Sequence, residues 1–154
     1  MKATELVIDK WLNTTDGFKF SVFNNSIKII HAFQMLCPGC VYYGVPQTER
    51  LYKTFNSEFV QVIGLHTVFE NHYAMQDHAL EVFIKEWRLS FPVAIDKRLE
   101  NEWMPETMKA YQLQGTPSLI IIDNKGEIKM LHFGQIDHDY LEEFIKDLIS
   151  KLVA

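Results

Sequence analysis

The segment Ile27-Lys28-Ile29-Ile30-His31-Ala32-Phe33-Gln34-Met35-Leu36-Cys37-Pro38-Gly39-Cys40 decides how the rest of the chain is read. Its first part, Ile27 to Phe33, is an apolar run with the length and isoleucine content of a buried strand. The run stops at Gln34-Met35-Leu36 and delivers two cysteines where a helix begins. Pro38 suits the first helical position, where its missing N–H costs no hydrogen bond. The protein has no other cysteine. Two cysteines three apart close too short a loop to constrain an unfolded chain much, so the pair reads as chemistry rather than as a staple.

The pattern points to thiol–disulfide exchange, with metal binding as the other chemistry open to such a pair. Only a thiolate attacks a disulfide, and the unpaired N–H groups and macrodipole at a helix N-terminus favour the anion. Cys37 is placed there and is expected to be the accessible, attacking thiol. Cys40 lies one turn on and is expected to be the more buried, resolving thiol, closing the pair and expelling a bound substrate. Gly39 adds no bulk beside the sulfur. His31, on the preceding strand, is a candidate base for the Cys40 proton, because neutral imidazole accepts protons near neutral pH. The competing reading of His31 is a core histidine bonded to backbone.

The whole chain suits one domain, residues 1–154, with an N-terminal strand extension over about 1–24. Hydrophobic residues make up 47% and charged residues 23%, a balance that can build a core. A net charge of -5 without a Lys/Arg-rich run argues against nucleic-acid and anionic-membrane partners. The first residues, Met1 to Asp9, are too polar and short for a secretory leader, and no apolar run reaches the roughly 20 residues of a spanning helix. A soluble, cytoplasmic protein is expected; a leader removed upstream would leave the same sequence. No G-x-G-x-x-G occurs, so no nucleotide cofactor is expected, and electrons must come from a partner protein or thiol.

Along the chain, Leu6-Val7-Ile8 and the alternating Phe18-Lys19-Phe20-Ser21-Val22 read as strands, with a turn at Asp16-Gly17. A helix follows the cysteines from about Pro38 to Phe55, interrupted by Gly44 and Pro46 and expected to kink there. Phe59 to Leu65 is a strand, His66 to Tyr73 a loop, and Met75 to Trp87 a helix. Phe91 to Asp96 is a strand, and Pro105 opens a short helix to about Leu113. Ser118 to Asp123 and Glu127 to Phe133 form a hairpin across Asn124-Lys125-Gly126. Asp137 caps a last helix whose Leu141, Phe144, Ile145 and Leu148 form an apolar stripe. Strands alternating with helices give an α/β sheet covered on both faces.

These features resemble the thioredoxin-like superfamily, and most closely its TlpA-like/redoxin branch. The matching segments are Cys37-Pro38-Gly39-Cys40 after a buried strand, Phe91-Pro92-Val93-Ala94-Ile95-Asp96, Gly115-Thr116-Pro117-Ser118 and Ile122-Asp123-Asn124-Lys125-Gly126. The Trp11-Leu12-Asn13 start and an inserted α-β unit fit as well. The resemblance covers nearly the whole chain. It implies a thioredoxin-like fold: a central mixed sheet with helices on both faces, N-terminal extra strands and the inserted α-β unit. It also implies a cis Thr116–Pro117 bond facing the cysteines, and a substrate groove formed by Leu36, Pro38, Thr116 and Pro117. Substrates would be disulfide-containing proteins or small thiols. The chain departs from the family pattern in several places. Leu36 replaces a tryptophan, the Pro38-Gly39 order is reversed relative to thioredoxin, and His31 occupies a position that is acidic in thioredoxins. Tyr43 stands where the TlpA-like branch often has glutamate. Pro46 lies one residue farther from the second cysteine than in the family, which suggests a local bulge.

Two other functions share this fold. A peroxiredoxin-like peroxidase would need Pro-x-x-x-Thr-x-x-Cys, but Gln34 stands at the threonine position. A metal-binding module would combine Cys37 and Cys40 with a histidine such as His66 or His132. His66, His72 and His78 recur at a spacing that does not share a helix face, and exposed or loop-stabilising roles are expected for them. His132 and His138 are assigned no chemistry. Trp87 and Trp103 are read as core or rim, and Tyr42 and Tyr43 as partly buried.

Overall fold

The protein, described by a computed structural model over residues 1–152, is built on a six-stranded mixed sheet. In chain order the strands are β1 (Ile8–Leu12), β2 (Ile27–Phe33), β3 (Val60–His66), β4 (Val93–Asp96), β5 (Ser118–Ile122) and β6 (Ile128–Phe133). The helices are α1 (Val45–Phe55), α2 (Asp77–Glu86), α3 (Glu106–Ala110) and α4 (His138–Leu152). In space the strands run β1-β4-β3-β2-β5-β6. β2 is buried along its whole length, as its uninterrupted apolar run requires, and lies parallel to β3 and antiparallel to β5.

Strand alternation sorts the core into two faces. Ile27 and Ile29 of β2 pack with Val62, Ile121 and Leu51 of α1, and with Leu141, Ile145 and Leu148 of α4. Phe33, farther along that face, joins Cys40, Val45, Leu80 and Phe83 of α2, and Phe91. Ile30 and Ala32 point the other way, to Ile63, Leu65, Met108, Tyr111 and the N-terminal residues Ala3 and Leu6. Lys28 shares that second face and is fully buried; its ammonium reaches the Asn24 carbonyl at 2.8 Å. Burial pushes the Lys28 pKa down to about 8, against the pull of Asp123 and Glu5.

The N-terminus is pinned at the end of the sheet where β2 begins. The Ala3 N–H donates to the Gly126 carbonyl and the Ile128 N–H to the Met1 carbonyl, each at 2.8 Å. Lys2 pairs with Glu127 at 3.1 Å. Among the described residues no helix is long and apolar enough to cross a membrane.

Three expectations change. The first strand is Ile8–Leu12, sharing only Ile8 with the expected Leu6-Val7-Ile8, because the ladder partners on β4, Asp96 to Val93, lie opposite Ile8 to Leu12. Phe18 to Val22 forms no strand despite its alternation. Phe18 and Phe20 instead pack on the Trp11 ring, at 4.9 and 5.6 Å between centroids, and the segment meets β3 through a side chain, with Gln61 Nε2 donating to the Lys19 carbonyl at 2.9 Å, and not through a backbone ladder. The kink expected near Pro46 is resolved as a π-helical turn, Cys40–Gly44, that leads into α1. The Val45 N–H reaches back to the Cys40 carbonyl, so the extra residue is absorbed before Pro46.

Candidate active site

β2 aims the chain at the cysteines. Its last residue, Phe33, is followed by a turn closed by the Cys37 N–H on the Gln34 carbonyl at 3.0 Å. Pro38 and Gly39 begin the helical winding, and Cys40 opens the π-turn. Both cysteines are free thiols; Cys37 is half-buried and Cys40 fully buried. The Thr116–Pro117 peptide bond is cis and lies across from them. Cys37 Sγ lies 3.5 Å from the Thr116 carbonyl oxygen, and the Gln34 N–H donates to Cys40 Sγ at 3.5 Å. A Cβ on Gly39 would meet Pro117 Cδ at 3.3 Å, so glycine there lets the proline ring approach the cysteine helix closely. Cys37, Leu36, Pro38 and Thr116 line one shared cavity, whereas Pro117 lines a second, smaller one with His31.

Burial, then the hydrogen bond with Cys37, pushes the Cys40 pKa up to about 12, so Cys40 stays a thiol at neutral pH. His31 is buried with neither ring nitrogen hydrogen-bonded, and burial alone pushes its pKa down to about 3. His31 is thus a core histidine, but without the backbone hydrogen bond expected of one. Its ring stacks on Phe33 at 5.7 Å and abuts Gly44, where a Cβ would come within 2.2 Å of Nε2. The small cavity beside it, about 10 Å³, has room for about one water.

No family model matches the chain. The crystal structure of a thioredoxin-like superfamily protein superposes with a TM-score of 0.90, at 42% identity over 96% of each chain. The chain belongs to the thioredoxin-like superfamily. A thiol-disulfide isomerase from Corynebacterium glutamicum superposes equally, with a TM-score of 0.90, 43% identity and 96% of each chain covered. Sporulation thiol-disulfide oxidoreductase A of Bacillus subtilis is 26% identical over 137 residues, 88% of this chain and 77% of that one. The protein is a thiol–disulfide oxidoreductase with a thioredoxin-like fold, and it acts on disulfides in exchange with thiols.

Three residues at the centre of this thioredoxin-like site carried no signal in the sequence. Gln34 is buried, and its side chain bonds Thr116 Oγ1 at 3.3 Å, Glu70 Oε1 at 3.4 Å and the Phe69 N–H at 3.2 Å. Glu70 and Phe69 stand on the loop after β3. Of the two roles expected for His66, exposed or loop-stabilising, the structure shows the second: it is buried, and its Nε2 accepts the Met35 N–H at 3.1 Å, bracing the turn before Cys37. Burial pushes its pKa down to about 4, opposed by Asp77. Tyr42 and Tyr43 are exposed rather than partly buried, because the π-turn directs them outward, and Trp87 and Trp103 lie at the surface. His72 bonds the Trp103 carbonyl, His132 the Gln135 carbonyl, and His138 pairs with Glu142. Among the described residues no three His, Cys, Asp or Glu side chains converge as metal ligands.

Proposed function

We propose that Cys37 attacks a substrate disulfide and Cys40 resolves the mixed disulfide, in an enzyme of the TlpA-like branch. The observation that carries this is the asymmetry of the pair. Cys37 borders the groove beside Thr116, while Cys40 is buried and holds its proton. The Cys37 thiolate bonds to one substrate sulfur and the other leaves as a thiolate that takes a proton from water. Cys40 then bonds to Cys37 Sγ and releases the second substrate sulfur. The sum is reduced enzyme and one disulfide giving oxidised enzyme and two thiols; a partner dithiol reverses the change in the enzyme. Leu36, Pro38, Thr116 and Pro117 form the substrate-facing surface.

The Cys40 proton is the costly step. Burial disfavours the lone Cys40 thiolate and the lone His31 imidazolium alike, so transfer between them relies on the attraction of the two opposite charges it would create in a low-dielectric site. Gly44, one turn after Cys40, lies directly against His31. Once Cys37 Sγ is in the mixed disulfide, its hydrogen bond no longer holds the Cys40 proton. His31 receives that proton and passes it outward through the small cavity beside Gln135 and Tyr43. A single cysteine pair suits a compartment that keeps thiols reduced, such as the cytoplasm.

Insulin reduction tests the assignment. Cys37→Ser abolishes turnover, Cys40→Ser accumulates a mixed disulfide on Cys37, and His31→Asn slows resolution and alters its pH profile. Trapping on Cys40 in the Cys37→Ser protein would reverse the two roles. A wild-type resolution rate and pH profile in His31→Asn would remove the histidine from the proton path.

A further inference from the structure

A cavity of about 300 Å³ opens directly beside Cys37. Its walls include Leu36, Phe69 and Met75, which supply apolar surface, and Gln34 with its buried carboxamide. Of the lining residues only Cys37 and Glu70 ionise as acids, and no Lys, Arg or His joins them. Among the described residues Glu70 forms no ion pair. Glu70 is exposed, and its Oε1 accepts from the Gln34 amide nitrogen at 3.4 Å, while Gln34 also bonds Thr116. The attacking sulfur, the Thr116 loop and an unneutralised carboxylate thus border one pocket.

We infer that this pocket receives the group flanking the substrate's reacting sulfur, and that Glu70 selects disulfides carrying a positive charge on that group. The inference rests on exchange at Cys37. An aliphatic ammonium fits both halves of the pocket: its methylenes lie on Phe69 and Met75, and its head pairs with Glu70. Neutral groups gain only the apolar contact. Anionic groups meet the carboxylate as a like charge, with no cation to offset it. The ammonium can belong to a small amine disulfide or to a lysine beside a peptide cysteine.

The test measures second-order rates of the fully reduced enzyme with cystamine, hydroxyethyl disulfide and dithiodiglycolate. A parallel series uses peptide disulfides with Lys, Ser or Glu beside the cysteine. One charge pair about 5 Å apart in a water-like medium corresponds to roughly fourfold or more in rate between cation and neutral. The expected order is cation, neutral, anion. Glu70→Gln lowers the cation-to-neutral ratio by about that factor, and Glu70→Lys inverts the order. Glu143→Gln, the same change in net charge on the exposed face of α4, leaves the ratio as it was. Which series shows the larger Glu70 effect identifies small amines or peptides as the source of the cation. Equal rates for all charges overturn the inference while exchange stands, as does a ratio that both Glu70 variants leave unchanged. A fall in Glu143→Gln as large as in Glu70→Gln assigns the preference to the protein's overall field and also overturns it. Absence of reaction with every disulfide would overturn the exchange reading itself.

Discussion

At the scale of single residues, the active site depends on close approaches more than on charge. Gly44 admits no side chain, because a Cβ would lie 2.2 Å from His31 Nε2 and 3.2 Å from Pro117 Cβ. Gly44→Ala is therefore expected to destabilise the fold by about 1–3 kcal/mol, the range for overpacking a filled core. The second substitution His31→Ala should recover part of that loss, since it removes the obstructing ring. Urea denaturation of the two single variants and the double variant measures the coupling. Gln34 is a different kind of constraint. One buried carboxamide ties the Thr116 loop to the loop after β3. Cys37 and Cys40 could be read from the sequence because their chemistry travels with their spacing. Gln34, Glu70 and His66 could not, because their partners are residues far along the chain and only the fold brings them together.

At the scale of elements, helix α3 shows how a strand can hold a helix end. Asp96, the last residue of β4, accepts the Thr107 and Met108 N–H groups at 2.8 and 3.0 Å and the Thr67 hydroxyl at 2.8 Å. It thus occupies the donors that the first turn of a short helix leaves unpaired. Burial raises its pKa, and those hydrogen bonds oppose the rise. Asp96→Ala leaves several buried donors without an acceptor and should cost about 2–4 kcal/mol. The loss should appear as a lower melting temperature, with early amide exchange at Thr107 and Met108. The elements that were legible were those whose pattern fixed their own partner. The run of β2 demanded burial on both faces, and the stripe of α4 demanded one apolar face. Phe18 to Val22 showed that alternation without an adjacent strand makes no ladder. The π-turn was visible only as Pro46 standing one residue out of place.

At the scale of the whole molecule, two buried neutral histidines set the response to acid. The pKa values of His31 and His66 are about 3 and about 4 in the folded protein, against an ordinary value of 6.5. Between those limits the unfolded chain binds protons that the native state does not, so stability rises with pH there and is lost as pH falls below about 6.5. Each histidine contributes about 1.4 kcal/mol per pH unit across its window, and the raised pKa of Asp96 works in the opposite sense. The urea midpoint should therefore drop steeply between about pH 6 and about pH 4. His66→Gln should flatten that slope relative to its own value at neutral pH.

The pinning of Met1 to Ala3 against β6 also has a geometric consequence. β2 runs from that end of the sheet toward the cysteines, and β5 returns to it, with Lys28 opposite Ile122. The first residue and Cys37 therefore lie at opposite poles. A molecule attached to a bead, a surface or another protein through residue 1 would stand with its redox face turned away from the support. Reach toward a substrate would then be set by the length of the tether and not by the orientation of the domain.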